Sequence, residues 1–315
     1  TFDKVTIIGT CNIPGATVTA IGELSGPVTT TCNGSTYTLA DIKLEGSDDE
    51  KTITVKIDDG INTDQKSVTV VKDVEAPVVA ITTPIVGAYI NAESRSSFAI
   101  SGTCSEVGVE NVHLVGDIVP TRVDCVAGYP DNIWNAQVDF SGASDGPVFI
   151  MVSQTDEAGN VGSRTRAFIL DTEAPFVAFT SPAAGFYINN ANKNSFAVSG
   201  TCSEYGANIT LSSTALNADV TTVCAGTTWS ANLDFKDGNE SVEVEAKIED
   251  SAGNSRTVTR TFNKDTVDPF LTITSPAAGA YINESSKGAF IVSGTCSDPG
   301  LDRVMVTGAA TKTVH

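Results

Sequence analysis

The tripeptide Gly-Thr-Cys recurs along this chain and sets the period of an internal repeat. It ends at Cys11, Cys104, Cys202 and Cys296, so the intervals are 93, 98 and 94 residues. Solenoid repeats are only about 20 to 50 residues long, whereas one β-sandwich domain has about 100 residues. The period therefore predicts a tandem array of similar modules, with one sandwich in each repeat.

A second repeated sequence motif marks where each module begins. Asp-Val-Glu-Ala-Pro starts at Asp73, Asp-Thr-Glu-Ala-Pro at Asp171 and Asp-Thr-Val-Asp-Pro at Asp265. Aligned on these words, both ends of the chain fall inside modules, and we expect the sequence to be cut from a longer array. The predicted modules are 1–72, which lacks its opening strand, 73–170, 171–264, and 265–315, which lacks its C-terminal part.

The distribution of apolar residues predicts an all-β chain. Trp229, Ala231, Leu233 and Phe235 alternate with polar residues, as on a half-buried strand. The segment 242–248 alternates in the same way with charged residues, and no stretch of ten residues has the helical period. With 315 residues, of which 41% are hydrophobic and 18% charged, the chain is long enough to bury three separate cores.

The chain is strongly acidic. Its 38 Asp and Glu residues against 19 Lys and Arg give a formal net charge of -19. Such a charge repels nucleic acid and anionic lipid and favours cations or basic partners. The sequence also has no run of 18 apolar residues. We therefore expect no nucleic-acid partner and no direct membrane contact in this segment.

The seven cysteines fall into one pair per module with one left over. The members of each pair are 21, 21 and 22 residues apart, and the seventh, Cys296, would find its partner near position 317, beyond the given sequence. A framework of this kind indicates an oxidising compartment. The rival interpretation, a metal site or redox pair, lacks a Cys-x-x-Cys, and the two histidines are His113 and His315. The predicted disulfides join Cys11 to Cys32, Cys104 to Cys125, and Cys202 to Cys224.

A large aromatic residue follows the second cysteine of each of the first three modules. The residues are Tyr37, Trp134 and Trp229. We expect them to fill the cores of their modules. A surface platform for a ligand is the alternative interpretation.

Acidic and amide residues recur near the predicted ends of two modules. Asp-x-x-Gly-Asn occurs twice, and the aspartate that opens the next module follows within about 15 residues. Carboxylate and amide oxygens on loops are ligands that calcium prefers. The same residues are typical of turns, in which Asp caps its own backbone. Both interpretations stay open, and the candidate calcium ligands are Asp156, Asn160 and Asp171 at one junction and Asp250, Asn254 and Asp265 at the other.

Four sequence motifs that follow one another along the chain carry a resemblance to a known family: Ser-Gly-Thr-Cys-Ser-Glu, Trp-Ser-Ala-Asn-Leu, Asp-Ser-Ala-Gly-Asn and Asp-Thr-x-x-Pro. With them the chain resembles the bacterial immunoglobulin-like domains repeated in large surface adhesins and extracellular proteins. The resemblance implies tandem immunoglobulin-like β-sandwich modules on the outer surface of a bacterium. It also implies a stalk that holds a distal binding domain away from the outer membrane, with calcium at module junctions in many relatives.

Three hypotheses for function follow. The first is a structural stalk or filament segment whose partners are neighbouring modules or copies of itself. The second is direct binding of a host or cell-surface glycan or protein, for which the second module is the best candidate because 111–120 and 126–132 look long and irregular. A subsidiary version is a first module that accepts a strand from a neighbouring chain. An enzyme is not expected, because no Ser/His/Asp set or phosphate-binding glycine loop is present.

Overall fold

The prediction of an all-β chain is confirmed by the computed structural model, which describes residues 4–297, 304–308 and 312–314. Within these ranges the elements are β-strands and one short 3-10 helix, Lys193–Ser195. No helix there is long and apolar enough to cross a membrane. The chain divides into two compact units, 1–173 and 174–315.

The first unit begins with six strands that form a two-stranded and a four-stranded sheet. Their order is β1-β4 in the first sheet and β3-β2-β5-β6 in the second, with antiparallel pairing throughout. The strands are β1 (Lys4–Thr10), β2 (Thr17–Gly22), β3 (Val28–Thr31), β4 (Thr36–Lys43), β5 (Asp49–Asp58) and β6 (Thr63–Lys72).

Eight further strands complete the first unit. They form a three-stranded sheet, β12-β9-β7, and a five-stranded sheet, β11-β10-β13-β14-β8, in which β8 runs parallel to β14. The strands are β7 (Val79–Thr83), β8 (Tyr89–Ile90), β9 (Phe98–Cys104), β10 (Gly108–Gly116), β11 (Thr121–Cys125), β12 (Asn132–Val138), β13 (Gly146–Thr155) and β14 (Val161–Leu170).

The second unit repeats this arrangement. Its sheets have the orders β15-β17-β20 and β16-β22-β21-β18-β19, followed by two strand pairs, β23-β24 and β25-β26. The strands are β15 (Val177–Ser181), β16 (Tyr187–Ile188), β17 (Phe196–Cys202), β18 (Asn208–Ser212), β19 (Val220–Val223), β20 (Thr228–Leu233), β21 (Asn239–Glu249), β22 (Ser255–Asp265), β23 (Leu271–Ser275), β24 (Ser293–Cys296), β25 (Val304–Val306) and β26 (Lys312–Val314).

Buried apolar residues form three separate clusters, within residues 5–70, 79–170 and 177–262. Alternate strand residues point into each cluster, as in β9 and β17, because successive side chains of a strand face opposite sides. The clusters match the three cores expected from composition. The division into four modules stays a prediction. The border between the two compact units, at 173–174, lies close to the predicted start of the third module at Asp171.

The three predicted disulfides are confirmed. Cys11 is bonded to Cys32, Cys104 to Cys125 and Cys202 to Cys224, with Cα–Cα distances of 6.0, 6.1 and 6.0 Å. In the second module the bond joins the three-stranded sheet to the five-stranded sheet, because Cys104 is in β9 and Cys125 in β11, and in the third it joins β17 of the three-stranded sheet to the residue directly after β19 of the five-stranded sheet. The disulfide therefore ties the two layers of the sandwich together.

The glycine of Gly-Thr-Cys makes room for the aromatic residue. Gly102 is paired across the sheet with Trp134, whose indole is fully buried and donates to the carbonyl oxygens of Ala80 and Thr103 at 3.1 Å. A Cβ on Gly102 would lie 1.8 Å from the Ala80 oxygen and 2.7 Å from the indole. The interpretation as core residues is confirmed for Trp134 and Trp229, whereas Tyr37 is half-buried and packs against the edge of its cluster; the same pairing joins Gly200 to Trp229 and Gly9 to Tyr37.

Candidate functional site

The structure separates the residues of each predicted calcium set. Asp156 and Asn160 lie just before β14, and Asp171 lies just after it. The ten residues of β14 span about 33 Å at about 3.3 Å per residue, so these groups cannot surround one ion. The other set, Asp250, Asn254 and Asp265, is divided in the same way by β22. The predicted grouping is therefore corrected: nearness in sequence was mistaken for nearness in space.

Asp156 and Asn160 close a tight turn. The backbone N–H and the side-chain amide of Asn160 donate to Oδ1 and Oδ2 of Asp156 at 2.8 and 2.9 Å. Partial burial acts to raise the pKa of Asp156, but the hydrogen bonds from Asn160 and from the backbone N–H groups of Gly159 and Ala158 together hold that pKa below its ordinary value. Asp250 and Asn254 form the same turn, with the corresponding bonds at 2.8 and 3.0 Å. The turn interpretation is thus confirmed at both places.

Asn160 also contacts the linker that precedes its own module. Its Nδ2 donates to the carbonyl oxygen of Asp73 at 3.2 Å and lies 3.4 Å from Oδ1 of Asp73. The linker aspartate beside this turn is therefore Asp73 and not Asp171.

This turn does not fit a calcium ion. Calcium takes six to eight oxygen ligands, whereas both carboxylate oxygens of Asp156 and Oδ1 of Asp73 accept hydrogen bonds from N–H groups. Across the part of the chain that the structure describes, no group of three or more His, Cys, Asp or Glu residues is placed to hold a metal ion.

The linker aspartates have a structural role that recurs. Oδ1 of Asp73 accepts the backbone N–H of Glu75 at 3.1 Å. An aspartate that bonds the backbone two residues further on closes a turn of its own, which is the local reason for Asp at this position. The equivalent bonds run from Glu173 to Asp171 at 3.2 Å and from Val267 to Asp265 at 3.3 Å.

The residue after each linker aspartate is bound to a residue at the start of the long central strand of the preceding module, or directly before that strand. We name this contact the first anchor. The backbone N–H of Val74 donates to Oδ2 of Asp48 at 2.9 Å. The other first anchors are Thr172 N–H to Asp145 Oδ2 at 3.1 Å and Thr266 N–H to Asn239 Oδ1 at 3.1 Å.

Asp48 is held as a carboxylate by its surroundings. The hydrogen bond from the Val74 N–H is the largest cause that lowers the pKa of Asp48, and the Lys72 ammonium, 3.3 Å from Oδ1, lowers it further. Lys72 also donates to the carbonyl oxygen of Gly46 at 2.7 Å. The Asp48 carboxylate therefore binds both the ammonium of Lys72, the last residue of β6, and the backbone N–H of Val74.

The other end of each linker is bound by the serine that follows Gly-Thr-Cys. We name this contact the second anchor. The backbone N–H of Val78 donates to Oγ of Ser105 at 3.0 Å. The other second anchors are Phe176 N–H to Ser203 Oγ at 2.8 Å and Phe270 N–H to Ser297 Oγ at 2.7 Å.

These anchoring residues were missed by sequence reasoning. No role is predicted from the sequence for Asp145 or Asn239, and Ser105 enters only as part of a repeated motif. The signal that identifies them is their constant separation from the linker, since five of the six anchors join residues 27 positions apart and the sixth joins residues 26 apart.

The second module is more regular than expected. The segment 111–120 was predicted to be a long irregular loop, but Gly108–Gly116 is a strand that pairs with both β11 and β13. Regular pairing leaves 117–120 as the connection to β11. In the segment 126–132, Tyr129 is 99% exposed.

One family model matches part of the chain. The model of glucodextranase domain B matches residues 175–266, which contain β15 to β22. No curated protein sequence matches the chain.

Several solved structures are similar to this chain. One is a Ca²⁺-stabilised adhesin with which an Antarctic bacterium binds ice, at 22% identity over 87% of this chain and 72% of that one, with a TM-score of 0.40. A 1.5-MDa bacterial ice-binding adhesin is 22% identical over 84% and 91%, with a TM-score of 0.35. The fibronectin(III)-like modules of CbhA from Clostridium thermocellum are 12% identical over 60% and 94%, with a TM-score of 0.37.

Proposed function

We propose that this chain is a spacer, a stalk or filament segment of a bacterial cell-surface or secreted adhesin-like protein, and that its work is to extend and stiffen a fibre. The observation that carries the proposal is the linker 73–78, which is bound at both ends. Val74 is tied to Asp48 of the preceding module, and Val78 is tied to Ser105 of the following one.

The linker has little freedom left between these contacts. Only six residues separate the last residue of β6, Lys72, from the first residue of β7, Val79. Asp73 closes its own turn on Glu75 and accepts a bond from Asn160, and Pro77 has a fixed φ. Because the backbone is restrained at successive positions, the linker is expected to act as a stiff connection.

The modules themselves support a spacer role. Their longest strands have ten or eleven residues, so each module contributes a length of about 35 Å at about 3.3 Å per residue. Disulfides persist in oxidising compartments such as the outside of a cell, and there they stabilise small domains. The three disulfides therefore suit a spacer that works outside the cell. The acidic surface keeps such a chain soluble and away from anionic membranes.

Small-angle X-ray scattering of the whole chain tests the proposal. The wild type is expected to show one narrow range of maximum dimensions that does not change with EDTA. Asp48→Ala combined with Ser105→Ala removes both anchors of the linker 73–78 and should broaden that range. Asp64→Ala and Ser67→Ala, which remove a carboxylate and a hydroxyl from β6, are the matched control and should leave it unchanged. A wild type that already scatters as a flexible string of beads contradicts the proposal.

A further inference from the structure

The segment between β15 and β17 of the third module forms a cavity of about 500 Å³ that is open to solvent. We name it the aromatic cavity. It is lined by the segment 183–187 and by Asn189 and Asn192. None of these residues carries a charge, and two of them, Phe186 and Tyr187, are aromatic. Binding sites for small molecules have this size and combine aromatic surface with a few polar groups.

The ring of Phe186 is supported from the side of the protein core. Its centroid lies 6.1 Å from that of the buried Phe196, with the two rings inclined at 50°. The backbone is fixed as well, because the carbonyl oxygen of Phe186 accepts the N–H of Asn263 at 3.1 Å. Phe186 nevertheless remains 51% exposed, and Tyr187 is 62% exposed. A ring that is packed on one side and open on the other loses little freedom when a ligand stacks on it.

The amide of Asn192 is held in one orientation. Its Oδ1 accepts the backbone N–H of Asn189 at 2.8 Å, and its Nδ2 donates to the carbonyl oxygen of Tyr187 at 3.2 Å. The Nδ2 group has two hydrogens, so a second one is left for a ligand oxygen. Asn189 is fixed through its own Oδ1, which accepts the N–H groups of Ala191 and Asn192 at 3.0 and 3.2 Å. The cavity therefore presents amide donors that are positioned before a ligand arrives.

The fold does not require Phe186 or Asn192. The motif Gly-Phe-Tyr-Ile-Asn of the third module is Gly-Ala-Tyr-Ile-Asn in the second and fourth, with Ala88 at the position of Phe186. At the position of Asn192 the second module has Ser94, whose Oγ accepts the backbone N–H of Asn91 at 3.0 Å. The serine closes the same turn without a spare N–H donor. The two residues peculiar to the third module are thus the ones that supply the larger aromatic surface and the extra donor.

We infer that the aromatic cavity binds a neutral saccharide. One face of a sugar ring carries C–H groups that stack on an aromatic ring, and its edge carries hydroxyls that accept hydrogen bonds from amides. The cavity offers both contacts and has no charge among its lining residues, which suits an uncharged ligand. The net charge of -19 also disfavours acidic saccharides. This activity goes beyond the spacer role, since a chain can extend a fibre without it.

A more exposed aromatic residue of the second module does not offer the same site. Tyr129, within the irregular segment 126–132, is 99% exposed. A ring with that exposure has almost no packing to hold it, so stacking would cost the freedom of its side chain. Saccharide binding is therefore assigned to the third module, whereas the sequence favoured the second as the binding module.

The test measures saccharide binding by the whole chain. A single site of this size should bind weakly, with a dissociation constant of about 1 to 10 mM. The probes are the neutral tetrasaccharides of glucose, mannose, galactose and N-acetylglucosamine, titrated to about 20 mM and followed by saturation-transfer NMR. The acidic tetragalacturonate is the matched control for charge. We expect at least one neutral probe to bind at least tenfold more tightly than tetragalacturonate.

Exchanging residues between modules locates the site. F186A with N192S copies the second module and should weaken binding at least tenfold. A88F with S94N, added to that double variant, builds the cavity on the second module and should restore binding. Y129A removes an exposed aromatic ring outside the cavity and should leave binding unchanged. Circular dichroism and thermal melting establish that each variant is folded, as expected where a neighbouring module already carries the new residues.

Three results overturn the inference. The first is that none of the four neutral tetrasaccharides binds. The second is that F186A with N192S binds as tightly as the wild type. The third is that tetragalacturonate binds more tightly than every neutral probe. The scattering test of the spacer role uses other variants, so either proposal can fail while the other stands.

Discussion

The backbone N–H of Val74 lies 2.9 Å from Oδ2 of Asp48, and this bond crosses the point where β6 leads into the next predicted module. Val74 follows the turn closed by Asp73 and precedes β7 by a few residues. The bond therefore sets the direction in which the chain leaves the first module. Its carboxylate partner makes this direction sensitive to pH.

The first anchor at Val74 should be lost in acid. The pKa of Asp48 is lowered in the folded chain, so the bond is fully present above the unfolded pKa of about 3.9 and is lost as the pH falls through the lower folded value. Hydrogen exchange corrected for intrinsic rate should show the Val74 amide protected at pH 5 and unprotected well below pH 4. Asp48→Asn removes the charge and should leave weak protection that no longer depends on pH. Unchanged protection in acid would contradict this assignment.

Loss of the Asn160 side chain should destabilise the second module without any involvement of calcium. Asn160→Ala removes two bonds to Asp73 and Asp156 from a half-buried site, and the expected cost is about 1 to 3 kcal/mol in urea unfolding. EDTA should not change the melting temperature of the wild type. A melting temperature that falls with EDTA and returns with added calcium would show that a metal acts somewhere in the chain.

Removal of one disulfide should weaken its module strongly. Cys104→Ala with Cys125→Ala opens a loop closed over 21 residues, which the chain-entropy model values at roughly 3 kcal/mol. Cys296→Ser is the control, because Cys296 is exposed and is a free thiol in the structure. Urea unfolding followed by tryptophan fluorescence reports on the second module through Trp134 and on the third through Trp229, and only the transition of the second module should shift. Equal stability of the two variants would contradict the expectation.

Gly102 should tolerate no side chain. Gly102→Ala places a Cβ 1.8 Å from the Ala80 carbonyl oxygen and against the Trp134 indole, so the strands β7 and β9 must move apart. We expect a loss of more than about 3 kcal/mol, or a second module that does not fold. Gly142→Ala is the matched control, since its Cβ would meet no atom within 4 Å, and it should change stability by less than about 0.5 kcal/mol. Urea unfolding of both variants measures the difference.

The fold was predictable because its signals are periodic and local. The alternation at Trp229, Leu233 and Phe235 directly reports burial in β20 and just beyond it, and each cysteine pair is close enough in sequence to be read from spacing. Both signals arise from constraints that act within about 20 residues.

The candidate site was not predictable to the same degree. Asp156 and Asp171 are only 15 residues apart, but most of those residues form an extended strand that carries the two side chains to opposite ends of the module. Contacts such as that of Val78 with Ser105 join a linker residue to a residue 27 positions further on, and no local sequence pattern at either residue predicts them. The exposed apolar residues of β13 had a readable signal, because 147–152 is continuously apolar whereas 241–246 alternates with charge.

The parallel pairing of β8 with β14 has a mechanical consequence. Tyr89 and Ile90 belong to the opening part of the second module, and Ile169 and Leu170 are its last strand residues before the linker. Tension applied through the two neighbouring linkers pulls these strands along their length in opposite directions. The bonds between them are then loaded in shear and must break together, whereas a hairpin pulled at its open end unzips one bond at a time. This two-residue ladder therefore adds resistance to force behind the β7–β9 pair, which lies nearer the linker, and β16 with β22 provides the same ladder in the third module.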